Sequence, residues 1–133
     1  SQTMAQARVF IIDDDDDIIA FLSSIVTEAG HEVEAYTDGG KALDALTDQN
    51  PALIFLDVQM PNMNGFQVLS AIRERSHLAE VPVVMLSGIS AVTGDDYDPD
   101  VIESRYGVRP TALVNKGGNP AKVRAELEPF LKF

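Results

Sequence analysis

The chain has 133 residues, 21 acidic against 10 basic for a formal net charge of −11, and no cysteine. That length suits one domain with a full core, and the missing cysteine removes disulfides, thiol nucleophiles and thiolate metal sites. The acidity argues against direct binding to nucleic acid, which needs clustered Lys and Arg. No run approaches the ~20 apolar residues that span a bilayer, and nothing in the chain reads as a secretory signal. The expectation is a cytoplasmic protein free of the membrane, with an unstructured lead at residues 1–6 and one domain over residues 7–133.

In chain order, Val9-Phe10-Ile11-Ile12 is a short apolar run that stops at five aspartates, Asp13 to Asp17. Ile18, Phe21, Leu22, Ile25, Val26 and Ala29 then follow helical spacing, and Gly30 is placed to end that helix. His31 to Thr37 alternates as a strand would, with Val33, Ala35 and Thr37 on one side. Thr37 or Asp38 can cap a helix that turns Ala42, Leu43 and Leu46 inward, closed by Asn50-Pro51. Leu53-Ile54-Phe55-Leu56-Asp57 is the next strand, apolar throughout until its last residue, as a strand buried on both faces reads.

Asn62 or Asn64 can cap a third helix through Phe66, Leu69 and Ile72. Val81 to Leu86 is a fourth buried strand ending at Ser87-Gly88, with Pro82 at its start where no ladder bond is lost. Gly88 to Tyr97 is a long polar stretch, after which Asp98-Pro99 opens a short helix to about Tyr106, ended by Gly107. Thr111 to Asn115 is a fifth strand stopping at Lys116, and Asn119-Pro120 starts a last helix carrying Val123, Leu127, Phe130 and Leu131. Pro129 should kink or end it. Strict alternation of five strands and five helices predicts an α/β fold, a doubly wound parallel sheet with helices on both faces.

In such a sheet the carboxyl ends of the strands share one edge, where ligands collect. That edge would gather Asp13 and Asp14, Asp57, Ser87 and Lys116. Carboxylates a few ångströms apart repel by about 4 kcal/mol per pair at an effective dielectric near 20. Oxygen ligands of this kind suit a hard divalent cation such as Mg²⁺. Lys116 supplies a point charge for a phosphoryl oxygen, and the Ser87 hydroxyl and Gly88 N–H can hydrogen-bond another. Asp57 is then the candidate carboxylate nucleophile, in phosphoryl transfer that demands positioning and charge neutralisation.

With these pieces in place, the chain resembles the receiver (CheY-like) domain of two-component response regulators. The likeness lies in Ile11-Ile12-Asp13-Asp14, in Leu56-Asp57-x-x-Met60-Pro61-x-x-x-Gly65, in Met85-Leu86-Ser87-Gly88 and in Leu113-Val114-Asn115-Lys116. The resemblance implies a flavodoxin-like sheet of order 2-1-3-4-5 and a Mg²⁺-dependent phosphoacceptor at Asp57. It also implies Asp14, Asp57 and the Gln59 carbonyl as metal ligands, Asp13 acting partly through water, Ser87 as a switch hydroxyl and Lys116 as the phosphate-pairing cation. The implied partners are a histidine kinase or histidine phosphotransfer protein as donor and a downstream effector domain or protein, with a homodimer open to it. On this likeness the chain is a signalling domain and not an enzyme, although it promotes its own phosphotransfer and dephosphorylation.

Several features read as purely structural. Asp15, Asp16 and Asp17 sit where a helix begins and suit capping and the helix dipole. A calcium loop starting at Asp13 fails, with Ile18 at its sixth position and Ser24 at its twelfth. His31 and His77 lack ligand-like neighbours and read as surface residues, and Gly117-Gly118 reads as a turn.

Other features depart from the family. Gly117 stands where a cis proline is usual, Leu113 where an aromatic switch residue is usual, and the segment around residues 88–98 is longer than usual. They motivate an alternative, a pseudo-receiver interaction module that signals without phosphorylation. A metal-dependent phosphatase would want an Asp two residues after Asp57, where Gln59 stands. In the family it resembles, the positions held here by Ile89 and Gln59 influence how readily water reaches the acyl phosphate, and that likeness implies slow loss of the phosphoryl group.

Overall fold

A computed structural model describes residues 7–88 and 98–133. The expected lead at residues 1–6 and the long polar stretch after Gly88, Ile89 included, lie outside the described residues. The strands are β1 (Arg8–Ile12), β2 (Glu32–Tyr36), β3 (Leu53–Asp57), β4 (Val83–Ser87) and β5 (Ala112–Asn115). They alternate with helices α1 (Asp16–Glu28), α2 (Gly39–Ala45), α3 (Gly65–Glu74), α4 (Pro99–Tyr106) and α5 (Pro120–Leu127). All four strand pairings are parallel, in the order β2-β1-β3-β4-β5. Both the architecture and the order match the expectation.

Alternate residues of the central strands feed two separate cores. Phe10, Ile12, Ile54, Leu56, Val83 and Met85 pack with α2 and α3, whereas Val9, Ile11, Leu53, Phe55, Val84 and Leu86 pack with α1 and α5. β3 and β4 are buried at every residue, which is why their sequences are unbroken apolar runs. The edge strand β2 behaves differently. Val33 packs on one core and Tyr36 on the other, while Ala35 and Thr37 are exposed, so the expected one-sided alternation fails beyond Val33. An edge strand with one neighbour and partial helix cover has no need to bury every second residue.

The helix ends follow local chemistry. Asp15 caps α1 by accepting from Asp17 N, and Gly30 takes a left-handed φ of 92° just beyond the helix. Ala29, expected to face inward, is exposed at that helix end. Asp38 rather than Thr37 caps α2, accepting from Lys41 N at 2.9 Å. Asn64 rather than Asn62 caps α3, in a reciprocal capping box with Gln67. Asp98 and Pro99 open α4, and Gly107 closes it at a φ of 77°. α5 ends at Leu127, and a 3₁₀ turn containing Pro129 (Glu128–Leu131) finishes the packing with Leu131 buried.

The reading of His31 as a surface residue is corrected. Its ring is partly buried, with Nε2 2.9 Å from the Leu131 carbonyl oxygen and Phe133 edge-on at 4.8 Å. A carbonyl only accepts, so Nε2 donates there. The ring pins the end of the chain to the start of β2. His77 is exposed, and its Nε2 lies 2.8 Å from the Leu46 carbonyl oxygen.

Candidate functional site

Strand register sets the site. Ile12 pairs with Leu56, Asp57 with Leu86 and Ser87 with Asn115, so the residues following each strand emerge at one edge. Asp13, Asp57 and Ser87 are the buried polar residues among those described. Lys116 reaches over them from the end of β5. Its Nζ donates to Asp13 Oδ2 at 2.7 Å and forms an ion pair with Asp57 Oδ1 at 3.0 Å. Asp13 Oδ1 accepts from the Asp15 N–H at 2.9 Å, so both of its oxygens are engaged. Asp57 Oδ1 also lies 3.4 Å from the Gln59 N–H.

A cleft of about 500 Å³ opens above this trio, lined by Asp14, Asp15, Asp16, Asp57, Gln59, Gly88 and Lys116. Each of Asp13, Asp14 and Asp57 offers a carboxylate oxygen within 4.8 Å of the others, with Asp14 exposed. Every residue expected at the site is therefore at this edge: Asp14, Asp57, Gln59, Gly88 and Lys116 line the cleft, while Asp13 and Ser87 are buried at the strand ends and do not line it. Asp15 and Asp16 were expected only to begin a helix. Asp15 does cap α1, yet both also line the cleft. Nothing in their spacing separated the two roles, because one loop supplies both.

Burial and the neighbouring Asp13 charge push the Asp57 carboxyl up to about 6, against the pull of Lys116. Burial likewise raises Asp13, although Lys116 and the Asp15 N–H oppose it. Burial alone would lower Lys116, but its two carboxylate partners outweigh that and hold its ammonium protonated above the usual range. These are opposing charges in a dry place, and a cation is part of the arrangement.

Gly65 explains how α3 is set against this centre. A Cβ there would stand 2.1 Å from the Asp57 carbonyl oxygen and 2.9 Å from Met85 Cε, while the Gly65 N–H donates to Val58 O at 2.8 Å. Only glycine lets the start of α3 press on the end of β3 this closely. Leu113 is partly buried against the core shared with Met85 and Ile102. An aromatic stack forms nearby in chain terms, Phe66 on α3 against Tyr106 on α4, with ring centroids 4.4 Å apart and nearly parallel planes. No cis peptide bond occurs among the described residues, so the bond to Gly117 is trans.

A sequence model of the response regulator receiver domain matches residues 9–99. The chain belongs to that family. Among its relatives, the transcriptional regulatory protein PrrA of Mycobacterium tuberculosis is 34% identical over 130 residues, 90% of this chain and 54% of its own length. The regulatory protein VanRB of Enterococcus faecalis is 29% identical over 125 residues, 86% of this chain and 56% of its own. This receiver domain thus spans about half the length of those two curated relatives. The chemotaxis response regulator CheY4 of Vibrio cholerae superimposes with a TM-score of 0.77 at 28% identity, covering 95% of this chain and 99% of that one. The family is one of signalling proteins in two-component systems. Among the described residues no helix is long and apolar enough to cross a membrane.

Proposed function

We propose that the receiver domain, taken as residues 7–133, accepts a phosphoryl group on Asp57 from the phosphohistidine of a histidine kinase or histidine phosphotransfer protein. One observation carries the reading. A buried carboxylate at the end of β3 lines a cleft and has a second buried carboxylate and a lysine ammonium directly beside it. The described contacts to the Asp57 carboxylate fall on Oδ1, which leaves Oδ2 as the attacking atom. In the reaction Oδ2 attacks phosphorus and the new O–P bond forms as the P–N bond breaks. The leaving nitrogen keeps the bonding pair, and the imidazole departs neutral after taking up one proton from solvent. Lys116 pairs with a phosphoryl oxygen as charge gathers, and the Gly88 N–H and Ser87 hydroxyl are the neighbouring donors for another.

The donor set fits a hard divalent ion. It consists of carboxylate oxygens of Asp13, Asp14 and Asp57 within 4.8 Å of one another, with Gln59 at the same cleft. Asp14, Asp57 and the Gln59 carbonyl would hold Mg²⁺, with Asp13 acting partly through water, and the ion would supply neutralising charge for the carboxylates and the phosphoryl oxygens. The reaction belongs on the cytoplasmic side of the cell, with an effector domain or protein downstream and a homodimer as one way of reading out the state. No observation favours the pseudo-receiver alternative that Gly117 and Leu113 suggested, since Lys116 reaches both carboxylates with Gly117 in place.

Incubation with acetyl phosphate and Mg²⁺, followed by intact-mass measurement, tests the reading. One phosphoryl addition is expected on the parent and none on Asp57→Asn. An unmodified parent, or an Asp57→Asn variant modified to the same extent, defeats it.

A further inference from the structure

The placement of Lys116 is not explained by the strand that carries it. β5 stops at Asn115, and the chain must turn within Lys116, Gly117 and Gly118 to reach Asn119, the cap of α5. Two of those three residues are glycines, the residues with the widest backbone freedom. A Cβ on Gly118 would meet nothing within 4 Å, so nothing packs against the turn at that position. Yet Lys116 must deliver its Nζ to 2.7 Å from Asp13 and 3.0 Å from Asp57.

Two described contacts restrain this backbone. The Lys116 N–H donates to Ser87 O at 2.8 Å, extending the β4–β5 ladder by one residue. The Gly117 N–H donates to the Asn115 side-chain Oδ1 at 2.8 Å. The second contact closes a side-chain turn across Lys116, of the kind Asn and Asp make with the backbone two residues on. It fixes the direction in which Lys116 leaves the strand, using a trans bond and a glycine N–H that proline would not possess.

We propose that Asn115 is the positioning residue for Lys116: its turn across Lys116 to Gly117 holds the lysine backbone so that the ammonium is aimed at Asp13 and Asp57. Asn115 is exposed and touches no reacting atom, so it acts through Lys116. The proposal rests on the phosphoacceptor reading of Asp57 for its effect on rate, but not for the contact itself.

Four single variants, one double variant and three readouts test it. Asn115→Ala should slow phosphorylation by acetyl phosphate about tenfold to a hundredfold, the usual cost of misplacing a group by an ångström. Asn115→Asp and Asn115→Ser keep an oxygen that can accept from Gly117 and should recover most of the rate. Gly117→Pro removes the N–H, so adding Asn115→Ala to it should change nothing further, whereas a general weakening of β5 would cost the same in both backgrounds. Without any phosphodonor, amide exchange at Gly117 should lose protection in Asn115→Ala, and the Lys116 ammonium signal should broaden. An Asn115→Ala rate within about twofold of the parent, or Asp and Ser variants as slow as Ala, overturns the proposal, as does an equal loss in the Gly117→Pro background. A parent that takes no phosphoryl group sinks the Asp57 reading alone, and the exchange measurements then decide the role of Asn115: unchanged protection at Gly117 overturns it.

Discussion

The two ends of the sheet each hold a cation among carboxylates. At the amino end, Arg8 pairs with Glu32 at 3.0 Å and Glu34 at 3.3 Å, with side chains 47%, 48% and 25% exposed. At the carboxyl end, Lys116 pairs with Asp13 at 2.7 Å and Asp57 at 3.0 Å, with side chains 15%, 0% and 5% exposed. The distances are alike, but the surroundings differ. Water screens the first cluster, and a water-screened pair is worth little. The second cluster is desolvated, so each charge depends on the others and any newcomer that changes the balance, such as a phosphoryl group or a divalent ion, is felt strongly. Burial, more than the presence of ion pairs, sets the carboxyl edge apart from the amino edge.

That contrast is tested most severely by removing each cation. Lys116→Ala strands Asp13 and Asp57 side by side and should lower stability by about 3–5 kcal/mol at pH 8 in urea denaturation. The loss should shrink near pH 5, where a proton on Asp57 replaces the missing ammonium. A pH-independent loss would mean that the carboxylates are screened after all.

A smaller effect of opposite sign is expected for Asp57→Asn. The Asp57 pKa rises on folding from 3.8 to about 6. The folded chain therefore keeps a proton that the unfolded chain has released. The resulting stabilisation is complete below the unfolded value and is lost as pH rises through the folded one. In EDTA the parent should weaken between about pH 4 and pH 6, while Asp57→Asn, uncharged throughout, should lack this component and be about 2 kcal/mol more stable at pH 8. A variant less stable than the parent at pH 8 would reverse the argument.

Mg²⁺ should narrow that gap. At ten times its Kd, binding to the folded parent adds about 1.4 kcal/mol and raises Tm by a few degrees, with little effect on Asp57→Asn. A parent Tm indifferent to millimolar Mg²⁺ would count against the acidic cluster as a metal site. The smallest change should come at the amino end, where Arg8→Ala is expected to leave the urea midpoint within error of the parent, above all in high salt. A midpoint shift comparable to that of Lys116→Ala would erase the distinction between the two ends.

Much of the molecule was legible in the order of its residues. The apolar runs Val9–Ile12, Leu53–Leu56 and Val83–Leu86 are doubly buried strands because helices cover both faces, and such strands need no polar alternation. Helix starts were readable to within the choice between Thr37 and Asp38, or Asn62 and Asn64, since capping is decided over a few residues. β2 was less legible because its side chains answer to an edge position that no local pattern announces. His31 was misread because its partner, the Leu131 carbonyl, lies 100 residues away in the chain.

The sequence by itself determined that Asp13, Asp14, Asp57, Ser87 and Lys116 would share one edge, because parallel strands joined by helices leave their carboxyl ends no other place to go. It could not determine which carboxylate would be driest, that Lys116 would bridge Asp13 and Asp57, or that Asn115 would turn back onto Gly117. Those outcomes depend on desolvation and on distances between segments far apart in the chain. Only the packed tertiary structure decides them, since the energy of a charge is set by what surrounds it and not by what precedes it.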